Sequence, residues 1–281
     1  MINLINPIIN LRYILNLFGT SKKYRYLIIT LARRDIADRY TRNIFGIIWA
    51  FFHPLMLIGM YIFIFGFVFR SKVGGQPPSD IPIDYTLYLL SGLIPWITFS
   101  DTLSRSCYQI IDNVNLVKQV RFPIEILPIK LVLATVFTQL ILFSGFLSYM
   151  IVKGQYLYWT MLPLFILLIL LQGLAMVGVS YFLSALTVFI RDTKDVVQVF
   201  VTIGIFATPI LFQIEAIPEK FRILFYLNPL TYMTSCYRDV FTYQSIMHPI
   251  AWLIFPLFSI ITLVFGYRFF TKFKLMFSSA L

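Results

Sequence analysis

Residues 158–189 read YWTMLPLFILLILLQGLAMVGVSYFLSALTVF, a run of 32 positions without a single Asp, Glu, Lys, Arg or His. A helix needs about 20 mostly apolar residues to cross roughly 30 Å of hydrocarbon, so this run predicts a membrane crossing. It is longer than one crossing needs and is expected to tilt, to kink near Pro163, or to extend beyond the lipid. Outward from it, five further stretches meet the same condition with few internal charges: 44–69, 85–103 and 126–152 before it, 196–212 and 250–270 after it. The expected fold class is therefore an all-α integral membrane protein with six transmembrane helices.

Composition agrees. Of 281 residues, 59% are hydrophobic and 12% charged, and the mean hydropathy is +0.83. A soluble domain carries about 25% charged residues, so a soluble enzyme and a free nucleic-acid-binding domain are both excluded. The net charge of +11 is read against lipid, with no nucleic acid among the partners. Cys107 and Cys236 are too few for a disulfide framework and lack the CxxC spacing of metal or redox sites.

Orientation follows from the basic residues, which collect on cytoplasmic segments. Placing the N-terminus inside puts 17 of the 23 Lys and Arg, and about +10 of the +11, on the cytoplasmic side. Both termini are then cytoplasmic, in a chain that passes the membrane several times.

Three segments are neither crossing nor ordinary loop. The first is 1–43, which lacks the n-region and cleavage site of a secretory leader. Leu4, Ile8, Leu11, Leu15 and Phe18, and then Tyr24, Leu27, Ile28 and Leu31, recur at helical spacing, which predicts an amphipathic interface helix lying among headgroups. Its end is crowded with Arg33, Arg34, Arg39 and Arg42, cations suited to membrane lipids or to an anionic lipid substrate. The second, 213–249, is too apolar for a free loop and too broken by Pro218, Pro229 and Pro249 for a crossing. Two short re-entrant helices, 219–227 and 230–243, are expected there on the outer side, under protein or water cover. The third, DNVNLVKQVRFPIEILP at 112–128, predicts a short cytoplasmic helix capped by Asn113 or Asn115, with Leu116, Val117 and Val120 on one side and Pro123 at its end. An exposed apolar face there suits docking into a groove of a partner.

Some chemistry is not expected. No GxxxxGK[ST] is present, so ATP hydrolysis by a P-loop in this chain is not predicted. His53 and His248, the only histidines, have no Cys or carboxylate at ligand spacing, and no metal site is expected. No GxSxG or HExxH occurs, and mid-depth ionisable groups of the kind that ion-coupled transporters use are nearly lacking. Asp101 and Arg105 are spaced as a helical ion pair, and His53, beside Pro54, is expected to be packed or hydrogen-bonded at a kink.

Four blocks carry a resemblance. RRDIADRYTRNIFGIIWAFFHP at 33–54 has Arg34-Asp35-Ile36, Arg39-Tyr40, Gly46, Trp49-Ala50 and Pro54 at the places of R-D-I-x-x-R-Y followed by L-G-x-x-W-A-x-x-x-P, with Phe45 where Leu is usual. LVKQVRFPIEILPI at 116–129, VFIRDTKDV at 188–196 and LNPLTYMTSCYRDV at 227–240 follow in order. Together they resemble the permease subunits of ABC-2 type polysaccharide exporters, the group that handles O-antigen, capsule and teichoic acid. The resemblance implies six spans, a coupling helix between spans two and three, and outer gate helices between spans five and six. It also implies a homodimer working with two ATPase subunits, which bind the ATP and Mg, so that no cofactor sits in this chain. The implied cargo is a lipid-diphosphate-linked polysaccharide, and the implied location is the bacterial inner membrane. The implied units are an interface segment, 1–43, and a transmembrane domain, 44–281.

On this reading Arg33, Arg34, Arg39 and Arg42 meet the lipid diphosphate, and Leu116, Val117, Lys118, Val120, Arg121 and Phe122 couple to the ATPase. Tyr61, Phe65, Tyr85, Tyr88 and Trp96 are candidate sugar platforms, although Tyr and Trp also line the interfaces of any membrane protein. Asn228, Pro229, Tyr232, Tyr237 and Arg238 form the outer gate. An ABC-2 exporter of a drug or simple lipid shares this frame. A membrane glycosyltransferase or polymerase would need a larger outer loop than 74–84 for its catalytic groups.

Overall fold

Asp84 starts the helix around which the rest of the chain packs. Its carboxylate accepts the backbone N–H of Thr86 at 2.9 Å, satisfying one of the donors that every helix N-terminus leaves open. The computed structural model describes residues 17–38, 46, 48–68, 84–118 and 122–277. Among these residues the regular elements are helical. They are α1 (Arg25–Asp38), α2 (Ile48–Tyr61) continued by a π-helical segment (Ile62–Val68), and α3 (Tyr85–Ser106). A 3₁₀ turn (Ile111–Asn113) leads into the short α4 (Val114–Val117), followed by α5 (Ile126–Val152), α6 (Leu162–Phe189) and α7 (Thr193–Ala207). Next come α8 (Glu219–Tyr226), α9 (Pro229–Arg238) continued by a π-helical turn (Asp239–Tyr243), and α10 (Ala251–Phe273).

Four segments among the described residues, Ile48–Val68, Ile126–Val152, Trp159–Phe189 and Ala251–Met276, are long and apolar enough to cross a membrane. The protein is a multi-pass membrane protein. The other two expected crossings are also helices, but of a different kind. α3 is buried without a break from Thr86 to Trp96, so it needs no lipid-facing apolar skin and carries Ser, Thr and Tyr instead. α7 has 15 residues, about 22 Å at 1.5 Å per residue.

Long-range contacts sort the chain into two ends. At one, which includes α1, Lys130 and Arg105 meet Asp35, and Lys274 meets Glu125. At the other, Asp84 meets Tyr149 and Lys153, Tyr85 donates to the Leu211 carbonyl, and Gln244 donates to that of Tyr156. With Gly66 lying against the Tyr149 hydroxyl and Trp96 against Gly204, helices α2, α3, α5, α6, α7 and α10 alternate in direction between these ends.

Close packing rests on small residues, which let backbones approach inside a membrane. A Cβ on Gly178 would strike the backbone of Thr262 and Leu263, and one on Gly266 would strike the carbonyl of Gly178. That contact sets the α6–α10 crossing. The interior is also held by uncharged hydrogen bonds. Gln139 Nε2 donates to Gln172 Oε1 at 2.8 Å, the Tyr237 hydroxyl donates to the same oxygen at 2.6 Å, and Gln172 Nε2 reaches the Pro95 carbonyl at 3.0 Å. Buried amides so paired tie α5, α6, α9 and α3 together without placing a charge at depth.

Several expectations change. Pro163 lies in the first turn of α6, where proline costs no hydrogen bond, so it begins the helix instead of kinking it. Asn113 does not cap α4; its amide donates backwards to the Gln109 carbonyl at 2.8 Å. In the interface segment Leu17, Ile28 and Ala32 are buried while Phe18 is 57% exposed, so the inward face passes through Leu17. Leu4, Ile8, Leu11 and Leu15 lie outside the described residues. His53 is exposed on α2 rather than packed.

Candidate functional site

The end that includes α1 holds an ion-pair network. Asp35, the acid of the R-D-I block, accepts Lys130 at 2.9 Å and lies 3.9 Å from Arg105, whose other nitrogen reaches Asp101 at 3.5 Å. This network clamps α1 onto α3 and α5. Lys130 is 4% exposed, so Asp35 is the charge that makes its burial tolerable. Glu125, from the second block, bonds Lys274 at 2.5 Å, and its carbonyl accepts the Tyr181 hydroxyl at 2.6 Å. Partial burial raises the Asp112 carboxyl above its ordinary range, with Lys130 pulling the other way.

The four candidate headgroup arginines separate. Arg34 is tied to Asp38 at 3.3 Å. Arg33 has no carboxylate partner among the described residues and lines an apolar groove of about 630 Å³ between α1, α2 and α5, with Ile29, Ile36, Phe51 and Leu140 in its wall. A free guanidinium beside an apolar groove matches an anionic amphiphile. Arg39 and Arg42 lie outside the described residues.

In the coupling segment Leu116 is half-buried and Lys118 exposed. Val117 is 4% exposed and packs with Ile110, Leu127 and Tyr181, which corrects the expectation that it belongs to an exposed docking face. Phe122 packs against the same cluster. Val120 and Arg121 lie outside the described residues.

The candidate platforms also divide. Tyr61 and Phe65 stack at 6.2 Å and Phe65 meets Tyr85 at 5.6 Å, so these three rings form one partly exposed ladder. Tyr88 and Trp96 are buried, at 2% and 3% exposure, and the expectation that they face a sugar path is corrected. The Trp96 indole fills the space over Gly204. The Tyr88 ring lies 3.7 Å from the Arg238 guanidinium, and its hydroxyl donates to Phe212.

At the opposite end the N-P pair has a local cause. Asn228 caps α9 by accepting the Leu230 N–H at 3.0 Å, Pro229 occupies the first turn, and the Asn228 amide donates to Ala207 and Thr208 at the end of α7. Tyr232 donates to the Tyr226 carbonyl at 2.8 Å. Tyr237 and Arg238, expected in the outer gate, are buried. Tyr237 belongs to the interior amide network, and Arg238, 4% exposed, donates to the carbonyls of Pro209 and Ile210. Carbonyl dipoles and the Tyr88 face replace water around that cation.

His248, with no carboxylate at ligand spacing in the sequence, has one in space: its Nδ1 is 2.6 Å from Asp239. No spacing motif announces it, because the π-helical turn after α9 and the following loop fold back on one another. No group of three or more His, Cys, Asp or Glu among the described residues could hold a metal.

The family model of ABC-2 type transporters matches residues 26–242. The chain belongs to the ABC-2 type transporter family. Within that family it is 27% identical over 255 residues to the O-antigen export system permease protein RfbA of Klebsiella pneumoniae, covering 91% of this chain and 95% of that one. It is 28% identical over 221 residues to the protein of the same name from Myxococcus xanthus, covering 78% and 81%. The Polysialic acid transport protein KpsM of Escherichia coli is 22% identical over 240 residues, covering 83% and 88%. Asp35, Glu125 and Asn228, which anchor the clamp, the bond to Lys274 and the cap, all lie within the matched region and at motif positions.

Proposed function

We propose that this chain is the permease subunit of an ATP-driven exporter that moves a lipid-diphosphate-linked polysaccharide from the cytoplasmic to the outer side of the bacterial inner membrane. The observation that carries this reading is the similarity, over nine-tenths of the chain, to O-antigen export permeases. Six helices alternating in direction support six spans with both termini inside, and α8 and α9, joined at Asn228, suit the outer gate. The end that includes α1 is then cytoplasmic.

A second copy completes the path. Only 11% of the most apolar stretch of α2 and its π-helical continuation is buried, against 67% for α5, and α7 exposes Val196, Val199, Phe200, Ile203 and Phe206. These faces supply apolar surface for a homodimer. Energy comes from two separate ATPase subunits docking at Leu116 and Lys118, next to the buried Val117 that transmits their movement to the α6–α10 pair. The ladder of Tyr61, Phe65 and Tyr85 offers ring faces to sugar C–H groups.

Arg33 receives the diphosphate. Arg33→Gln should reduce surface glycan by about tenfold or more, since charge-assisted hydrogen bonds contribute about 1.5–3 kcal/mol, while the ATPase still co-purifies. Arg34→Gln, whose partner is Asp38, should change export much less. Immunoblots of surface glycan in complemented deletion cells read both, and full export by Arg33→Gln would sink this assignment.

A further inference from the structure

The 3₁₀ turn Ile214–Ala216, the end of α8, α9 and the segment leading into α10 enclose a cavity of about 440 Å³. That volume falls within the range of small-ligand sites, roughly 300–1,000 Å³. Its wall differs in kind from the groove beside Arg33. It combines the rings of Tyr226 and Tyr232 with Glu215, Ser235 and His248.

Each polar group there is either held or left free in a definite way. The Tyr232 hydroxyl is committed to the Tyr226 carbonyl, which fixes the ring and leaves its face available. His248 is fixed twice: Asp239 Oδ1 lies 2.6 Å from Nδ1, and Asp239 Oδ2 accepts the His248 backbone N–H at 3.0 Å. Trp252 Nε1 donates to the same Oδ2 at 2.9 Å. An ionised carboxylate only accepts, so Nδ1 carries the proton. Nε2 has no partner among the described residues and is free to bond a ligand. The Glu215 carboxylate likewise takes no hydrogen bond or ion pair among the described residues.

We propose that this cavity is a saccharide subsite that binds one uncharged sugar unit of the glycan as it leaves the exporter. Glu215 accepts from two neighbouring hydroxyls, and His248 Nε2 bonds a third. The Tyr226 and Tyr232 faces cover the apolar C–H side of the ring. A phosphate or an acidic sugar would meet the Glu215 carboxylate as a like charge, while the Arg222 guanidinium is taken up by the carbonyls of Ile217 and Glu215. The subsite thus selects the neutral repeat over the lipid headgroup, which is handled at the other end of the bundle. This inference rests on the polysaccharide reading above.

The test uses the purified full-length protein in lipid nanodiscs. The probe is glycan released by mild acid from the carrier lipid of the same cells and labelled at its reducing end. Wild type should bind it, and Glu215→Gln and Tyr226→Ala should each weaken binding by about tenfold. Both residues are exposed, so melting temperatures should hold. Phe221→Ala, at an exposed α8 residue outside the cavity wall, should bind as wild type does. Unchanged affinity in both Glu215→Gln and Tyr226→Ala, or no binding by wild type, overturns the subsite. The polysaccharide reading fails on a different result, full surface glycan in cells lacking this chain.

Discussion

Gly266→Ala should lower the amount of folded protein more than any other single methyl group added to the described helices. A Cβ at this position has no flexible side chain to push aside; it meets the backbone carbonyl of Gly178, and Gly178 in turn faces the backbone of Thr262 and Leu263. Alanine would gain up to about 1 kcal/mol of helix propensity over glycine. Overpacking costs typically 1–3 kcal/mol and more where backbone must move, so the clash wins. Separating α6 from α10 would also loosen the Tyr181, Tyr267 and Phe270 ring cluster that seals the end of the bundle near α1. Gly173, on the same α6, has nothing within 4 Å of its ideal Cβ, and Gly173→Ala should be neutral or slightly stabilising. Thermal-stability measurements by fluorescence-detected size exclusion should separate the two by several degrees, and equal melting would refute the packing argument.

Asp35→Leu is expected to have the second large effect. It leaves Lys130, nearly enclosed, without the carboxylate that it bonds at 2.9 Å. Breaking one side of a buried pair costs about 3–5 kcal/mol. It should detach α1 from α5 and abolish export, and proteolysis should then cut near α1. Replacing both partners, Asp35→Leu with Lys130→Met, removes the unpaired charge and should restore most of the stability. A double variant no better than the single would show that the pair is not what fastens α1.

Much of the fold is legible from apolar runs and prolines. The stretch 126–152 corresponds to α5, and the two short helices expected at 219–227 and 230–243 match α8 and α9 with its π-helical continuation. What sequence reading misses is which side chains the tertiary contacts absorb. Tyr88, Trp96, Tyr237 and Arg238 look like conduit or gate residues because aromatic and basic groups near a membrane surface often are. Their burial follows from α3 being enclosed on all sides, which no periodicity along α3 reveals. The Asp35–Lys130 and Glu125–Lys274 bonds join residues 95 and 149 positions apart. Motif positions did mark Asp35, Glu125 and Asn228, but as a pattern without a cause. The structure supplies causes: a clamp, a bond between ends of distant helices, and a cap.

The separation of Arg33 from Arg34 was likewise invisible in a run of like residues. Both are exposed cations on one helix. Only the Asp38 contact and the groove beside Arg33 distinguish them, and both depend on where α1 lies against α2 and α5.

The central claim, that this chain carries a finished glycan across the membrane and does not build it, is tested most directly by deleting it and locating the polymer. Cells lacking the chain should lose surface glycan while lipid-linked polymer accumulates on the cytoplasmic face, and the wild-type chain should reverse both. Surface glycan that persists, or a cell in which no polymer is made at all, would contradict the account.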